Sequence, residues 1–215
     1  MAAIIYILAF VGGFSIMSLE LLGGRVLAPY FGSSIYVWGS IITVFMLSLS
    51  VGYLLGGRLS LHQPTLGRFA LIFLGAAICL YPLVYFSEDI MVWIFERVVD
   101  PRYGSLLASG VLFIVPTVIM GMISPYSVRM LVKTTDQSGH VAGILYFVST
   151  LGSSLGTLAT SFYLILWFEI NTILTLLTCG LLAMAALAGI ASRFGPTLPR
   201  SQHAAPLADA AEEAA

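Results

Sequence analysis

Long uncharged apolar runs dominate this 215-residue sequence. A helix that crosses a bilayer needs about 20 mostly apolar residues, and it satisfies its own backbone polar groups where no water is present. Hydrophobic residues make up 59% of the chain and charged residues only 9%, whereas a soluble domain carries about 25% charged residues. The sequence therefore predicts an all-α integral membrane protein with one transmembrane domain over residues 1–193. Its six predicted spans are about 2–24, 35–57, 66–87, 104–131, 141–167 and 170–192.

Two regions outside these runs have a different pattern. On a helix, residues 88–101 would gather their charged side chains on one side and their large apolar side chains on the other. This pattern is typical of an amphipathic helix that lies in the membrane interface. Residues 194–215 are rich in alanine and proline and have few large apolar residues, which predicts a disordered cytoplasmic tail.

Glu20 lies inside the first apolar run, and a carboxylate at that depth costs roughly 3 kcal/mol. On a helix, Gly13 and Gly24 share its side, so that another helix or a ligand can approach closely. Arg25 is five residues away, on a different side, and is poorly placed to pair with Glu20. Two interpretations follow: Glu20 is the counter-ion of a ligand, or it forms a structural ion pair with an arginine on another helix.

Polar residues at helical spacing form stripes in the second and fifth runs. Such stripes often only join helices, because serine and threonine can bond their own helix backbone. Together with Glu20, the two stripes predict a shared polar cavity inside the membrane. The fifth run carries Tyr146, Ser149, Ser153, Thr157 and Thr160, and the second carries Tyr36, Ser40, Thr43, Ser50 and Gly57.

Glycines four residues apart lie beside both stripes, as Gly52 with Gly56 and Gly152 with Gly156. Pairs of this kind let two helix backbones come close together. They favour a homodimer, unless both pairs are used within one chain.

Prolines 116 and 125 interrupt the fourth run and predict a kinked helix, of the kind that often lines binding sites in membrane proteins. Arg129 follows near the end of this run, and Arg58 ends the second. Both are candidates for an ion pair or a gating role, although an arginine at a span end is also a common interface anchor.

The motifs of soluble chemistry are missing. The sequence contains no phosphate-binding loop, no G-x-G-x-x-G, no HExxH, no CxxC and no nucleophile elbow. Cys79 and Cys179 both fall within predicted spans, and the net charge of −1 gives no indication of nucleic acid. We therefore expect no cofactor, no metal site and no catalysis by this chain alone.

The first two runs carry a longer pattern: Ser18-Leu-Glu20, then Arg25-Val-Leu-Ala-Pro-Tyr-Phe-Gly-Ser-Ser34, then Trp38, and finally Gly52-Tyr53-Leu-Leu-Gly-Gly-Arg58. It resembles the N-terminal membrane region of spermidine synthase-like transmembrane proteins, and Gly143-Ile-Leu-Tyr146 with Ser149, Gly152 and Gly156 fits the same family. In that family a cytosolic aminopropyltransferase domain commonly follows the membrane domain. Residues 194–215 hold no such domain, so the resemblance implies polyamine-related biology but does not carry over the enzymatic activity.

A second likeness is to half of a major facilitator transporter. Gly52, Gly56-Gly57-Arg58 and then Gly67-Arg68 are similar to the loop after the second helix in that superfamily, although its usual acidic residue is absent. The likeness implies a bundle of three plus three helices.

Two functions are compatible with these observations. The first is binding or transport of a small polyamine-like cation, with Glu20 as counter-ion and aromatic side chains in cation–π contact. The second is a membrane scaffold that docks a separately encoded cytosolic aminopropyltransferase. The candidate ligand-binding residues are Glu20, Arg25, Trp38, Tyr53, Tyr146, Ser149 and Ser153.

The distribution of basic residues sets the expected orientation in the cytoplasmic membrane. Cytoplasmic loops of membrane proteins carry an excess of lysine and arginine. Six basic residues follow the second, fourth and sixth runs, and three lie on the other side. The first group is Arg58, Arg68, Arg129, Lys133, Arg193 and Arg200, and the second is Arg25, Arg97 and Arg102.

Both chain termini are therefore expected in the cytoplasm. A reporter fused at residue 200 should be active if it works only inside the cytoplasm, and inactive if it works only outside. The reverse pattern of activity would show that the topology is inverted.

Overall fold

The computed structural model describes residues 1–61, 64–132 and 137–194, and all the regular structure within these ranges is helical. Six helical stretches are long and apolar enough to cross a membrane, so the predicted all-α, six-span fold is confirmed. The predicted tail lies outside the described residues, apart from residue 194, where the last helix ends. The helices are α1 (Ala2–Phe31), α2 (Ile35–Ser60), α3 (Leu66–Arg97), α4 (Pro101–Gly121), α5 (Ile123–Leu131), α6 (Ser138–Ala159), α7 (Ile165–Trp167) and α8 (Ile170–Phe194).

The first three spans and the sixth are single helices, namely α1, α2, α3 and α8. The fourth span joins α4 to α5, and the fifth runs from α6 through a π-helical turn at Thr160–Leu164 to α7. The two compound spans cover Pro101–Leu131 and Ser138–Trp167.

The prediction of a separate interfacial helix over residues 88–101 is wrong. Residues up to Arg97 continue α3 without a break, and the chain leaves the helix only between Val98 and Asp100 before α4 begins at Pro101. The segment contains no glycine or proline before Pro101, so nothing interrupts the helix. Its amphipathic pattern is nonetheless used, because Met91 and Ile94 are buried while the charged residues are exposed.

The breaks in the helices have local causes. Gly32 ends α1 with φ 77°, a left-handed conformation that glycine adopts without a steric penalty. Proline 125 has no N–H to bond the carbonyl of Gly121, and the fourth span breaks between α4 and α5 at Met122. Proline 29, by contrast, remains inside α1.

The six spans pack mainly as three pairs: first with fifth, second with fourth, and third with sixth. Exchanging the first span for the fourth, the second for the fifth and the third for the sixth gives the same set of pairs. This is the relation that a three-plus-three repeat requires, with the two halves inverted across the membrane.

Glycine contacts show the repeat at the level of single residues. A Cβ added at Gly152 would strike the backbone of Phe10, and one added at Gly156 would strike Phe14. Likewise, a Cβ at Gly52 would strike Val118. The same holds for Gly56 against Met122, Gly13 against Ser149 and Gly121 against Leu49. The interface between the first and fifth spans therefore has the same register as the interface between the second and fourth. Both glycine pairs are thus used within one chain, and they no longer support a homodimer.

A buried tyrosine joins two spans at the end of the bundle where α1 begins. Tyr126 is fully buried in α5 and stacks on Phe69 of α3, with ring centroids 5.3 Å apart. Its hydroxyl donates to the Thr65 carbonyl at 3.1 Å and accepts from the Thr65 backbone N–H at 2.9 Å. These contacts tie the fourth span to the N-terminus of α3.

We expect Gly152→Ala to destabilise the protein by about 1–3 kcal/mol, because the added methyl group would overpack a backbone contact. Its Cβ would lie 2.9 Å from the Phe10 carbonyl carbon and closer still to the carbonyl oxygen. Thermal unfolding in detergent measures the effect.

Gly143→Ala is the matched control on the same helix, since nothing lies within 4 Å of that added Cβ. It should be neutral or slightly stabilising. Equal unfolding temperatures for the two variants would contradict the close contact.

Candidate functional site

Glu20 is buried, with 7% of its surface exposed, and its Oε2 has no hydrogen-bond partner. Within the described part of the chain, no cationic side chain forms an ion pair with it; the ion pair found there joins Arg97 to Glu96 at 4.0 Å. The interpretation of Glu20 as half of a structural ion pair therefore finds no partner among the described residues. What remains is a carboxylate inside the protein that has no counter-ion among the residues the structure describes.

The glycines on the same face of α1 show which helices surround Glu20. Gly13 lies against the Ser149 carbonyl and the Ser153 hydroxyl of the fifth span. Gly24 lies against the ring of Trp38 on the second span, where an added Cβ would be 2.6 Å from the nearest ring carbon. Glu20 thus lies on the side of the first span that the fifth and second spans flank.

Thr117 of α4 lies at the same depth in the bundle as Glu20. Gly23 packs against Phe113 and Gly12 against Ile123, so the first and fourth spans run antiparallel in a register that places Thr117 level with Glu20. Thr117 is on the same side of α4 as Phe113, is fully buried, and its hydroxyl has no hydrogen-bond partner. Sequence reasoning missed this residue; the available signal was a threonine directly after Pro116 in an apolar run.

The hydroxyl groups of the fifth span mostly bond within and between helices. Ser153 donates to the Ser149 carbonyl at 3.1 Å, and Thr160 donates to the Ser18 hydroxyl at 2.9 Å. Ser18 donates in turn to the Gly156 carbonyl at 3.4 Å. This part of the stripe joins the fifth span to the first. Thr160 also begins the π-helical turn, a distortion that is frequent at functional sites.

Tyr53 and Tyr146 come from the two flanking spans, and their phenol groups lie near one another. Both are exposed, at 48% and 55%. Tyr146 lies on the stripe with Ser149 and Ser153, and we call the surface formed by these four residues the polar face.

The polar face is not level with Glu20. The hydrogen bonds that join Ser18 to Gly156 and Thr160 place Glu20 level with the C-terminal end of α6. The polar face therefore lies towards the end of the bundle where α1 begins, with Tyr146 about 20 Å from Glu20 along the axis.

The fifth span is the least hydrophobic of the six and also the least buried. Only 17% of its most apolar stretch is buried inside the protein, against 50% for the fourth span. Polar groups in lipid must find partners, so a polar span would ordinarily be the most covered. Within the polar face, Tyr53 and Tyr146 are exposed in the single chain, whereas Ser149 and Ser153 are half-buried against α1.

Arg25 lies away from the polar face, in an open cleft of about 510 Å³ on the membrane side opposite the chain termini. The ends of the first and third spans and the connection between the fifth and sixth form this outer cleft. Its charged lining residues are Arg25, Glu88 and Glu169, and all three are exposed. Arg25 and Glu20 thus belong to different sites.

Arg58 and Arg129 are both exposed, and neither forms an ion pair with a residue that the structure describes. Both lie towards the end of the bundle that carries the chain termini and are not brought to Glu20. Their predicted gating or ion-pair role remains a prediction. Among the described residues, no group of three or more His, Cys, Asp or Glu side chains is placed to hold a metal ion.

Comparisons of the chain with protein-family models, with curated proteins and with solved structures returned no match. The resemblance to spermidine synthase-like membrane proteins therefore stays a prediction from the residues that carry it.

Proposed function

We propose that the protein binds, and in the membrane carries, a small organic cation of the polyamine type, with Glu20 as its counter-ion. The observation that supports this most directly is the buried Glu20 carboxylate without a partner in the described chain. A charge of this kind is costly unless an opposite charge or a proton neutralises it. A cationic ligand supplies both the charge and hydrogen-bond donors.

The surroundings of Glu20 suit an ammonium group. Trp38 provides an aromatic ring on the same side of α1, and the faces of such rings attract cations. Tyr53 and Tyr146 provide two more rings along the polar face, towards the end of the bundle where α1 begins. The Thr117 hydroxyl, at the height of Glu20, is a free acceptor for an N–H donor. No described arginine or lysine lines the polar face, so a cation there would meet no like charge.

A second copy of the chain would close the polar face. Two copies meeting there would shield the exposed tyrosines and the fifth span from lipid. The inverted repeat places the second and fifth spans in equivalent positions on either side of this face, which suits a symmetric, self-complementary contact.

Glu20→Gln should weaken the binding of spermidine to the purified protein by about tenfold or more, since a hydrogen bond to a charged group is worth roughly 1.5–3 kcal/mol. The fold should be retained or slightly stabilised, because a neutral amide is less costly there than an unpaired carboxylate. Equilibrium binding and thermal unfolding, measured in the same detergent, test both parts.

Glu96→Gln removes an exposed carboxylate and is the matched control; it should bind spermidine as the wild type does. If Glu20→Gln is stable and binds spermidine like the wild type, Glu20 is no counter-ion, and a scaffold that docks a cytosolic aminopropyltransferase becomes the better proposal.

Cysteine cross-linking tests whether a second copy of the chain covers the polar face. In a variant whose native Cys79 and Cys179 are replaced by alanine, Tyr146→Cys should form covalent dimers in nanodiscs that contain only this protein and lipid. Leu71→Cys, at an exposed position of the third span, should remain monomeric. Monomers alone from Tyr146→Cys, or equal cross-linking at both positions, would contradict a second copy on this face.

A further inference from the structure

The outer cleft carries charges that the bundle does not neutralise. Arg25 of α1, Glu88 of α3 and Glu169 between α7 and α8 all line it. No ion pair joins Arg25 to either carboxylate in the part of the chain that the structure describes, so the opposite charges are more than 4.0 Å apart. The cleft thus presents one cationic and two anionic side chains, and the cationic side chain is not paired with either of the others.

A buried polar group also opens into this cleft. Ser87 lines it, is only 9% exposed, and makes no hydrogen bond to another described residue. Asn171, in the first turn of α8, adds a further polar side chain. The Ser87 Oγ itself is accessible from the cleft, so the hydroxyl can bond an occupant there.

Apolar residues also line the cleft. Met91 and Ile173 are buried, and Pro29, Ile165 and Phe168 add apolar walls. Glu169 is in the short connection between two spans, which places this edge of the cleft at the level of the lipid headgroups. Charged and apolar groups side by side in a cleft of this kind suit an amphiphile with a charged headgroup.

We infer that the outer cleft binds a phosphoethanolamine group, and that its source is an ethanolamine phospholipid of the surrounding leaflet. The Arg25 guanidinium donates to the phosphate, for which its planar fork is well suited. The primary ammonium donates to the carboxylates of Glu88 and Glu169 and to the Ser87 hydroxyl. A glycerol headgroup has no positive charge for the two carboxylates, and a choline headgroup has no N–H to donate.

Native mass spectrometry can test this with the full chain in detergent and an equimolar mixture of ethanolamine, choline and glycerol phospholipids that share the same acyl chains. We expect the ethanolamine lipid to be retained about tenfold more than the choline lipid, as for one charged hydrogen bond. Arg25→Gln should lower its retention by a similar factor. The double variant Glu88→Gln with Glu169→Gln should bring the ethanolamine-to-choline ratio close to one.

Arg97→Gln and Glu96→Gln are the matched controls, because both residues are exposed at the end of α3 but outside the cleft. Neither should change lipid retention.

Equal retention of the three lipids, or retention unaffected by Arg25→Gln, would overturn the inference. If free phosphoethanolamine binds as tightly as the lipid, the apolar walls contribute nothing and a lipid is not the occupant. Glu20→Gln should leave lipid retention unchanged, so this result and the cation proposal can fail separately.

Discussion

Backbone contact between parallel helices is the constraint on which the bundle depends. Lipid chains are as apolar as leucine, so helices in a membrane gain little from hydrophobic burial and depend on close packing. The first span meets the fifth at Gly13, Gly152 and Gly156, where side chains would not fit. The second meets the fourth in the same register at Gly52, Gly56 and Gly121. Two equivalent close interfaces, inverted across the membrane, hold the two halves together.

The same packing encloses Glu20, which has no ion-pair partner among the described residues. Gly13 and Gly24 lie on its face of α1, so the fifth span and the ring of Trp38 come close on either side. Helices that approach so closely exclude water from the carboxylate. The described part of the chain supplies no cation in exchange, although Thr117 adds a hydroxyl that is also unsatisfied. The glycines that allow close packing thus also enclose the carboxyl group of Glu20.

Hydropathy was enough to predict the six spans, because a helix of about 20 apolar residues satisfies its own backbone hydrogen bonds in lipid. It could not show where α3 ends, since residues 88–97 continue an uninterrupted helix and their amphipathic pattern reflects packing on the core. Glycine spacing identified close contacts but not their partners, and both pairs proved to be internal. Periodicity placed Glu20 and Arg25 on different faces. The unsatisfied hydroxyl of Thr117 depends on the register of two helices far apart in sequence, which no local pattern contains.

Because Glu20 and Arg25 are separated both along and around α1, the first span contributes to two different sites. Glu20 and Arg25 are five residues apart, which corresponds to about 7.5 Å along the axis and about 140° around it. Glu20 is enclosed by helices, where a charge is expensive, whereas Arg25 is exposed at headgroup level, where a long side chain can remain hydrated. In the function we propose, the ligand of the carboxylate enters the protein, whereas the group that meets the guanidinium stays in the membrane surface. Had the two residues been four apart, they would have faced each other and neutralised both sites.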